Sequence, residues 1–332
     1  MTSSILLLCG GGSSEHEVSL DSAAYLQSEL EKKADFDVIK VEIKSNVWKT
    51  TDGRAVTLDI NKKTLISDTQ KEIIIDYIIP CIHGYPGETG DLQSLFELSG
   101  IPYLGCSPEA SVISFNKITS KLWYDSLEIP NTPYLFLTDD SQDSLLKANQ
   151  VFEQWGEVFV KAATQGSSIG CYCVTNKADL NDAIKSAFTY SHQVLVEKCV
   201  KPRELEVAAY QINGELHISK PSEVIAPEGE FYTYDQKYNA DSHAITDIEA
   251  KGLSTAQHDL IRHYSRKVFT QLNLKDLSRI DFFLTQEGEL YLNEVNTFPG
   301  MTSISMFPKM LKNNGHVFHE FLASAIQNAI KT

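Results

Sequence analysis

Between Arg279 and Asn296 the chain runs RIDFFLTQEGELYLNEVN, two strand-like halves around Glu287-Gly288, and this segment limits the possible folds more than any other. A two-residue turn at Glu287-Gly288 makes an antiparallel hairpin and sets Asp281 opposite Glu294 and Arg279 opposite Asn296. Because side chains alternate along a strand, these four residues share one face, while Phe282, Leu284, Tyr291 and Val295 point the other way. Two facing carboxylates repel without a counter-ion. Oxygen-only ligands suit Mg²⁺, which keeps waters and is completed by phosphate oxygens, so Asp281, Glu294 and Asn296 are candidate metal ligands at a nucleotide-phosphate site, with Arg279 beside them. The competing reading is a solvated hairpin face, its register shifted by a bulge at Gly288.

Around this hairpin are 332 residues, enough for two or three domains with substantial cores. A balance of 29 basic against 44 acidic residues gives a formal charge of −15, and no Lys/Arg stripe could track a phosphate backbone, which argues against nucleic acid as a partner. Six cysteines lie scattered without a CxxC pair, mostly in apolar strand-like runs; buried reduced thiols fit a cytoplasmic protein. The apolar start, residues 5–8, lacks a basic leader and is too short for a signal segment, so a buried first strand explains it. No apolar stretch approaches the ~18 residues of a membrane span, and no membrane partner is expected.

The order of elements predicts an α/β (α+β) protein in three units, 1–105, 106–200 and 201–332. In the first, a strand at 5–8, a glycine turn and a helix capped by Ser14 with Glu17 three residues on are followed by strands at 36–43 and 73–82 and a helix at 92–98. A helical stretch at 107–127 opens the second, with strands at 158–161, 170–174 and 194–197 and a helix near 179–190. The third starts with strands 205–212 and 217–219, paired across Asn213-Gly214, and holds a helix at 256–272 before the hairpin. Residues 221–250 show little periodicity; loops that long in a compact domain are usually functional or disordered.

Lys161 leads into Ala162-Ala163-Thr164-Gln165-Gly166-Ser167-Ser168-Ile169-Gly170, a small-residue loop whose amides could fold over a triphosphate while the lysine supplies a point charge. A plain surface hairpin would have the same composition. The Walker A pattern is absent, and Glu15 stands where a dinucleotide fingerprint needs its third glycine. Lys117, Lys161, Lys198, Lys237 and Arg279 are spread over all three units, and tight ATP binding needs several of them to converge. Glu15, His83 and Glu88 follow predicted strands of the first unit, at the edge where α/β sheets bind ligands; His83 could equally be a satisfied histidine at a strand end.

Six ordered motifs are now in place: Gly10-Gly11-Gly12-Ser13-Ser14-Glu15-His16-Glu17-Val18-Ser19, His83-Gly84-Tyr85-Pro86-Gly87-Glu88, Lys161 with Gly166-Ser167-Ser168-Ile169-Gly170, Tyr234-Asp235-Gln236-Lys237-Tyr238, Arg279-Ile280-Asp281, and Asn293-Glu294-Val295-Asn296-Thr297-Phe298-Pro299-Gly300. With them the chain resembles the D-alanine:D-alanine ligase family of the ATP-grasp superfamily over nearly its whole length. The resemblance implies a three-domain ATP-grasp architecture with an N-terminal parallel-sheet domain, and ATP held between the central and C-terminal domains. By it, Lys117, Lys161 and Lys237 contact phosphates, Glu197, Lys198 and Val200 the adenine, and Glu204 the ribose. Asp281, Glu294 and Asn296 bind two Mg²⁺, with Mn²⁺ as a substitute. Glu15 and His83 receive the first D-alanine, Ser305 and Met306 hold the carboxylate of the second, and Arg279 steadies the oxyanion. Glu15, Ser167 and Tyr238 form a hydrogen-bonded set that closes the 221–250 loop. A cytoplasmic homodimer serving peptidoglycan synthesis is implied as well.

The chain departs from the family pattern at Thr89 and Asn116, where Asp is usual, and at Ala162, where Pro is frequent. Tyr238 favours D-alanine as acceptor; D-lactate or D-serine, another carboxylate–amine pair, or a catalytically silent ATP-binding module are the competing readings.

Overall fold

The computed structural model describes residues 2–69, 71–225 and 245–331. The chain begins with β1 (Ser3–Gly10), α1 (His16–Leu30), β2 (Phe36–Lys44) and β3 (Val47–Thr50); β4 (Val56–Asp59), β5 (Thr64–Ser67) and β6 (Glu72–Ile74) form a small antiparallel sheet, and β7 (Tyr77–Pro80) returns to the first. That first sheet has the order β3-β2-β1-β7, with β1 parallel to both β2 and β7. Its central strand is covered on both faces, which is why it is continuously apolar: Ile5, Leu7 and Cys9 enter one core with Ala23 and Leu26 of α1, while Leu6 and Leu8 enter another with Phe96. The expected strand at 73–82 is two strands in different sheets, because the chain changes sheet at Ile75-Asp76, where Asp76 and Ser4 exchange hydrogen bonds.

α2 (Asp91–Ser99) follows, then α3 (Pro108–Phe115) and α4 (Lys117–Ser126), which replace the single helical stretch expected at 107–127. Asn116 separates them with extended backbone, and its side-chain oxygen accepts from the amides of Ile118 and Thr119, so the departure from Asp keeps the capping acceptor. The second sheet, β10-β9-β11-β8, contains β8 (Tyr134–Leu137), β9 (Val158–Ala162), β10 (Cys171–Val174) and β11 (Val194–Lys198), backed by α5 (Gln142–Trp155) and α6 (Leu180–Phe188). Strand β8 and helix α5 had no clear sequence signal. Ala162 donates its amide to Gly170 O at 2.9 Å, a bond that a proline at this position could not make.

The third sheet runs β15-β14-β12-β16-β17, with β13 beside β12. It comprises β12 (Arg203–Ile212), β13 (Glu215–Ile218), β14 (Ser222–Ile225), β15 (Ile245–Asp247), β16 (Leu277–Leu284) and β17 (Leu290–Asn296). β12 and β13 close across Asn213-Gly214, both at positive φ, as the sequence predicts. The described ends of the aperiodic 221–250 stretch are β14, paired between β12 and β15, and the edge strand β15; 226–244 lies outside the described residues. α7 (Thr255–Gln271) starts at a capping box between Ser254 and Gln257. α8 (Met306–Asn313) and α9 (Phe318–Ile330) pack Phe307 and Phe321 into the core shared with β1 and α1, which ties the C-terminal residues to the N-terminal sheet.

Candidate active site

The turns and helix that follow strands of the first sheet, together with faces of the second and third larger sheets, line a single cavity of about 600 Å³. From the N-terminal sheet, Gly10 and Gly11 turn the chain at positive φ; a Cβ on Gly10 would stand 2.6 Å from Ile43 O. α1 then begins with Glu15 at its N-cap position and no side-chain cap, so the expected Ser14–Glu17 capping box is not formed. The polar side chains here serve the site instead. Ser13 Oγ donates to His83 O at 2.8 Å, and the Glu15 carboxylate, 8% exposed, sits where Cβ atoms on Gly84 or Gly166 would approach it to 3.4 and 3.3 Å. Glu15 therefore bridges the first sheet and the small-residue loop of the second.

His83 is buried with both ring nitrogens engaged: Nδ1 lies 3.2 Å from Phe298 O and Nε2 lies 3.1 Å from Ser22 Oγ. A carbonyl only accepts, so Nδ1 carries the proton and Ser22 donates to Nε2. Burial lowers the His83 pKa against the opposing pull of Glu15, which keeps the ring neutral. Glu88 accepts from Gly84 N at 2.8 Å and from Phe298 N at 3.4 Å, and burial, with Glu15 nearby, pushes its carboxyl up to about 8.

In the second sheet, strand alternation assigns the lining residues. Val158, Val160, Val194 and Val196 face a hydrophobic core, whereas Phe159, Lys161, Leu195 and Glu197 face the cavity. Glu197 is clamped between two ammonium groups: Lys121 Nζ at 2.6 Å on one oxygen and Lys161 Nζ on the other. Burial would raise this carboxyl, but Lys121 and Lys161 outweigh it and hold it down at about 2. Burial likewise works to lower Lys161, and Glu197 reverses the effect, so its pKa is raised and the charge is kept. Lys117, the first residue of α4, donates to Gln165 O at 2.6 Å and so reaches the loop that follows β9. Within that loop Ser167 and Ser168 both take positive φ, and the buried Ser167 Oγ has no hydrogen-bond partner among the described residues. Lys198, Val200 and Glu204 line the same cavity; Lys237 and Tyr238 lie outside the described residues.

In the third sheet the hairpin holds at the site and differs at the turn. Arg279 pairs with Asn296 and Asp281 with Glu294, as expected, but the register slips by one at Asp281/Phe282, giving Phe282 opposite Leu292 and Leu284 opposite Leu290. The connection is a longer turn, with Thr285 and Glu289 joined by a hydrogen bond, and a bulge at Asn293 restores the site register. The same bulge overturns the expected facing of Tyr291, which pairs with Phe283 on the cavity side rather than sharing the core with Phe282, Leu284 and Val295. Arg279 donates to both oxygens of Asp281, Nε to Oδ1 at 2.8 Å and Nη2 to Oδ2 at 2.7 Å, and Asn296 Nδ2 adds a third bond to Oδ2 at 3.0 Å. That leaves the Asn296 Oδ1 directed away from the carboxylate. Among the described residues no group of three or more His, Cys, Asp or Glu is placed to hold a metal ion by itself, and the two carboxylates and one amide suit a hard cation completed by phosphate oxygens and water. Ser305 stands at the N-cap position of α8 without a side-chain capping bond, Met306 is the first helical residue, and both line the cavity, so the amides of that first turn supply an anion-binding end.

All the expected site residues within the described part line this one cavity except Asp281, which is turned to Arg279 and Asn296. Lys121 and Glu206, both cavity-lining and nearly excluded from solvent, are missing from the sequence-derived set. Their signals were present: Lys121 follows Lys117 by four positions on one helix face, and Glu206 shares a strand face with Glu204.

The family model described as "D-ala D-ala ligase N-terminus" matches residues 4–106, and that described as "D-ala D-ala ligase C-terminus" matches residues 123–327. A protein named D-alanine--D-alanine ligase from Vibrio vulnificus strain YJ016 is 64% identical over 331 residues, 99% of this chain and 100% of that protein. The crystal structure of D-alanyl-alanine synthetase A from Vibrio cholerae superposes with a TM-score of 0.96 at 61% identity, covering 100% of this chain and 99% of the other. VanG D-Ala:D-Ser ligase from Enterococcus faecalis superposes with a TM-score of 0.88 at 28% identity, covering 99% and 100%. The chain belongs to the D-alanine–D-alanine ligase family, with the ATP-grasp fold of its members.

Proposed function

We propose that the protein joins two D-alanines into D-alanyl-D-alanine at the expense of ATP, releasing ADP and phosphate, as a cytoplasmic step of peptidoglycan precursor synthesis. The observation that carries this reading is the convergence of Glu15, Lys117, Lys161, Arg279, Glu294 and Ser305, from three helix starts and two sheets, on one cavity. High identity to proteins named for that reaction supports D-alanine over D-serine, since the D-Ala:D-Ser ligase is much more distant.

In this reading the carboxylate of the first D-alanine, its ammonium held by Glu15, attacks the γ-phosphorus of ATP; the new O–P bond replaces the bond to ADP. The free carboxylate becomes an acyl phosphate, an electrophile that an amine can attack. Lys117 and Lys161 neutralise phosphate oxygens, and Glu197 keeps Lys161 charged for that role. Asp281, Glu294 and Asn296 would hold Mg²⁺, or Mn²⁺ in its place, whose contribution is to offset charge on the transferring phosphoryl group. The second D-alanine, its carboxylate at the Ser305–Met306 helix end, attacks through its neutral amine. Arg279 steadies the oxyanion, a contribution worth ~3 kcal/mol per donor, and phosphate leaves. The division at 1–105, 106–200 and 201–332 is part of the proposal, supported by the described sheets, none of which crosses a boundary: two fall within the first span and one within each of the others.

Purified protein with ATP, Mg²⁺ and D-alanine should release one phosphate per D-alanyl-D-alanine by mass spectrometry, with L-alanine, D-serine and D-lactate as parallel acceptors. Turnover only with another acceptor would change the substrate and leave the chemistry; none with any acceptor would favour the silent nucleotide-binding module.

A further inference from the structure

Arg279 in this structure occupies the carboxylate that the proposed metal needs. A carboxylate offers about four lone-pair positions, and three on Asp281 are taken, two by the guanidinium and one by Asn296. The residue opposite Asp281 on the neighbouring strand β12 is Glu206, 7% exposed, whose Oε1 lies 3.4 Å from Arg279 Nε. Strand alternation fixes it there: Leu205 and Val207 enter the core beneath, so Glu204 and Glu206 face the cavity. Glu206, Asp281 and Glu294 thus place three acids around one guanidinium at the cavity floor.

We propose that Glu206 is a positioning residue that takes over Arg279 when Asp281 turns to Mg²⁺. The proposal rests on the reading of Asp281 as a metal ligand. A cation arriving at Asp281 repels the guanidinium, and a buried guanidinium displaced without a partner would carry a large desolvation cost. Glu206 supplies that partner with a short swing, since one donor is already within 3.4 Å of it. The exchange frees the Asp281 lone pairs and leaves the Arg279 Nη donors directed toward the acceptor side of the cavity. Metal loading and the readiness of Arg279 for the second half-reaction are coupled through this one carboxylate.

The test is Mn²⁺ affinity in the presence of ADP, read by electron paramagnetic resonance, with ADP affinity in EDTA as the control for folding. Glu206→Gln weakens Mn²⁺ binding about tenfold, the middle of the range for residues sharing one ion-pair network, and leaves metal-free ADP binding unchanged. In an Arg279→Met background the same substitution has little further effect, because there is no guanidinium to hold. Equal weakening in both backgrounds would reduce Glu206 to a through-space charge and overturn the proposal, as would unchanged Mn²⁺ affinity in Glu206→Gln. Asp281→Asn separates the two levels: if it leaves Mn²⁺ binding intact, the metal assignment itself fails. Should Glu206→Gln not fold, Glu206→Asp keeps the charge, shortens the reach, and is read by the same comparison.

Discussion

Lys121 and Glu197 meet at 2.6 Å with 3% and 4% of their side chains exposed, and the same carboxylate keeps Lys161 charged. Lys161 binds the other Glu197 oxygen, so one carboxylate balances two ammonium groups. Removing that carboxylate leaves two buried cations facing each other. Glu197→Gln should therefore cost about 3–5 kcal/mol in a denaturant titration. The pH dependence follows from a folded pKa of about 2 against the ordinary 4.5: the stabilisation is present above 4.5 and is lost as pH falls through about 2. Over that window the variant should lose less stability than the wild type; parallel curves would show that Glu197 is not the ionised centre of the cluster.

His83 is wired by Ser22 and Phe298 in its neutral form. Its depressed pKa means that stability is present above the ordinary 6.5 and declines as pH falls through the lower folded value. His83→Gln, whose amide can donate to Phe298 O and accept from Ser22, should remove this acid limb while keeping most of the neutral-pH stability. His83→Ala should lose about 2 kcal/mol from unsatisfied partners. Thermal melts of both variants across the acid range would separate the two effects.

The Glu15 carboxylate needs the space left by a missing side chain at Gly166, where a Cβ would come within 3.3 Å of it. Gly166→Ala should raise the D-alanine KM, with a stability cost of about 1–3 kcal/mol. Gly53 makes the opposite control: it has φ +84 and open space around it, so Gly53→Ala should cost about 1–2 kcal/mol and leave steady-state kinetics as they were.

Glu294 faces Asp281 across the hairpin through the register restored by the bulge. If both hold the cation at the transferring phosphate, Glu294→Gln should lower kcat by about 100-fold or more, because several kcal/mol of charge stabilisation is lost. Initial rates over a Mg²⁺ titration check this; full turnover in the variant would place the metal elsewhere.

The parts of the fold legible in the sequence are those where one local rule decides. Residues 5–8 read as a buried first strand and form one, covered on both faces, and Asn213-Gly214 closes the hairpin it signals. Strand β8 and helix α5 were illegible because Tyr134–Leu137 is a short strand with little alternation and Gln142–Trp155 is largely exposed. At the site, the pairing of Asp281 with Glu294 came from a turn length that the protein does not use; the Asn293 bulge compensates for the longer turn, so the pair survives while Tyr291 changes face. Lys121 is not legible as a site residue because a lysine near a helix surface is ordinarily solvated, and its burial follows from Glu197, which is distant in sequence.

The central claim is that a D-alanine carboxylate is phosphorylated by ATP before the peptide bond forms. D-Alanine labelled with oxygen-18 in its carboxylate, incubated with the protein, ATP and Mg²⁺, tests it directly by mass spectrometry of the products. The account predicts one labelled oxygen in each phosphate released and one retained at the new peptide carbonyl. Phosphate without label would contradict it, because the carboxylate oxygen would then never have bonded to phosphorus.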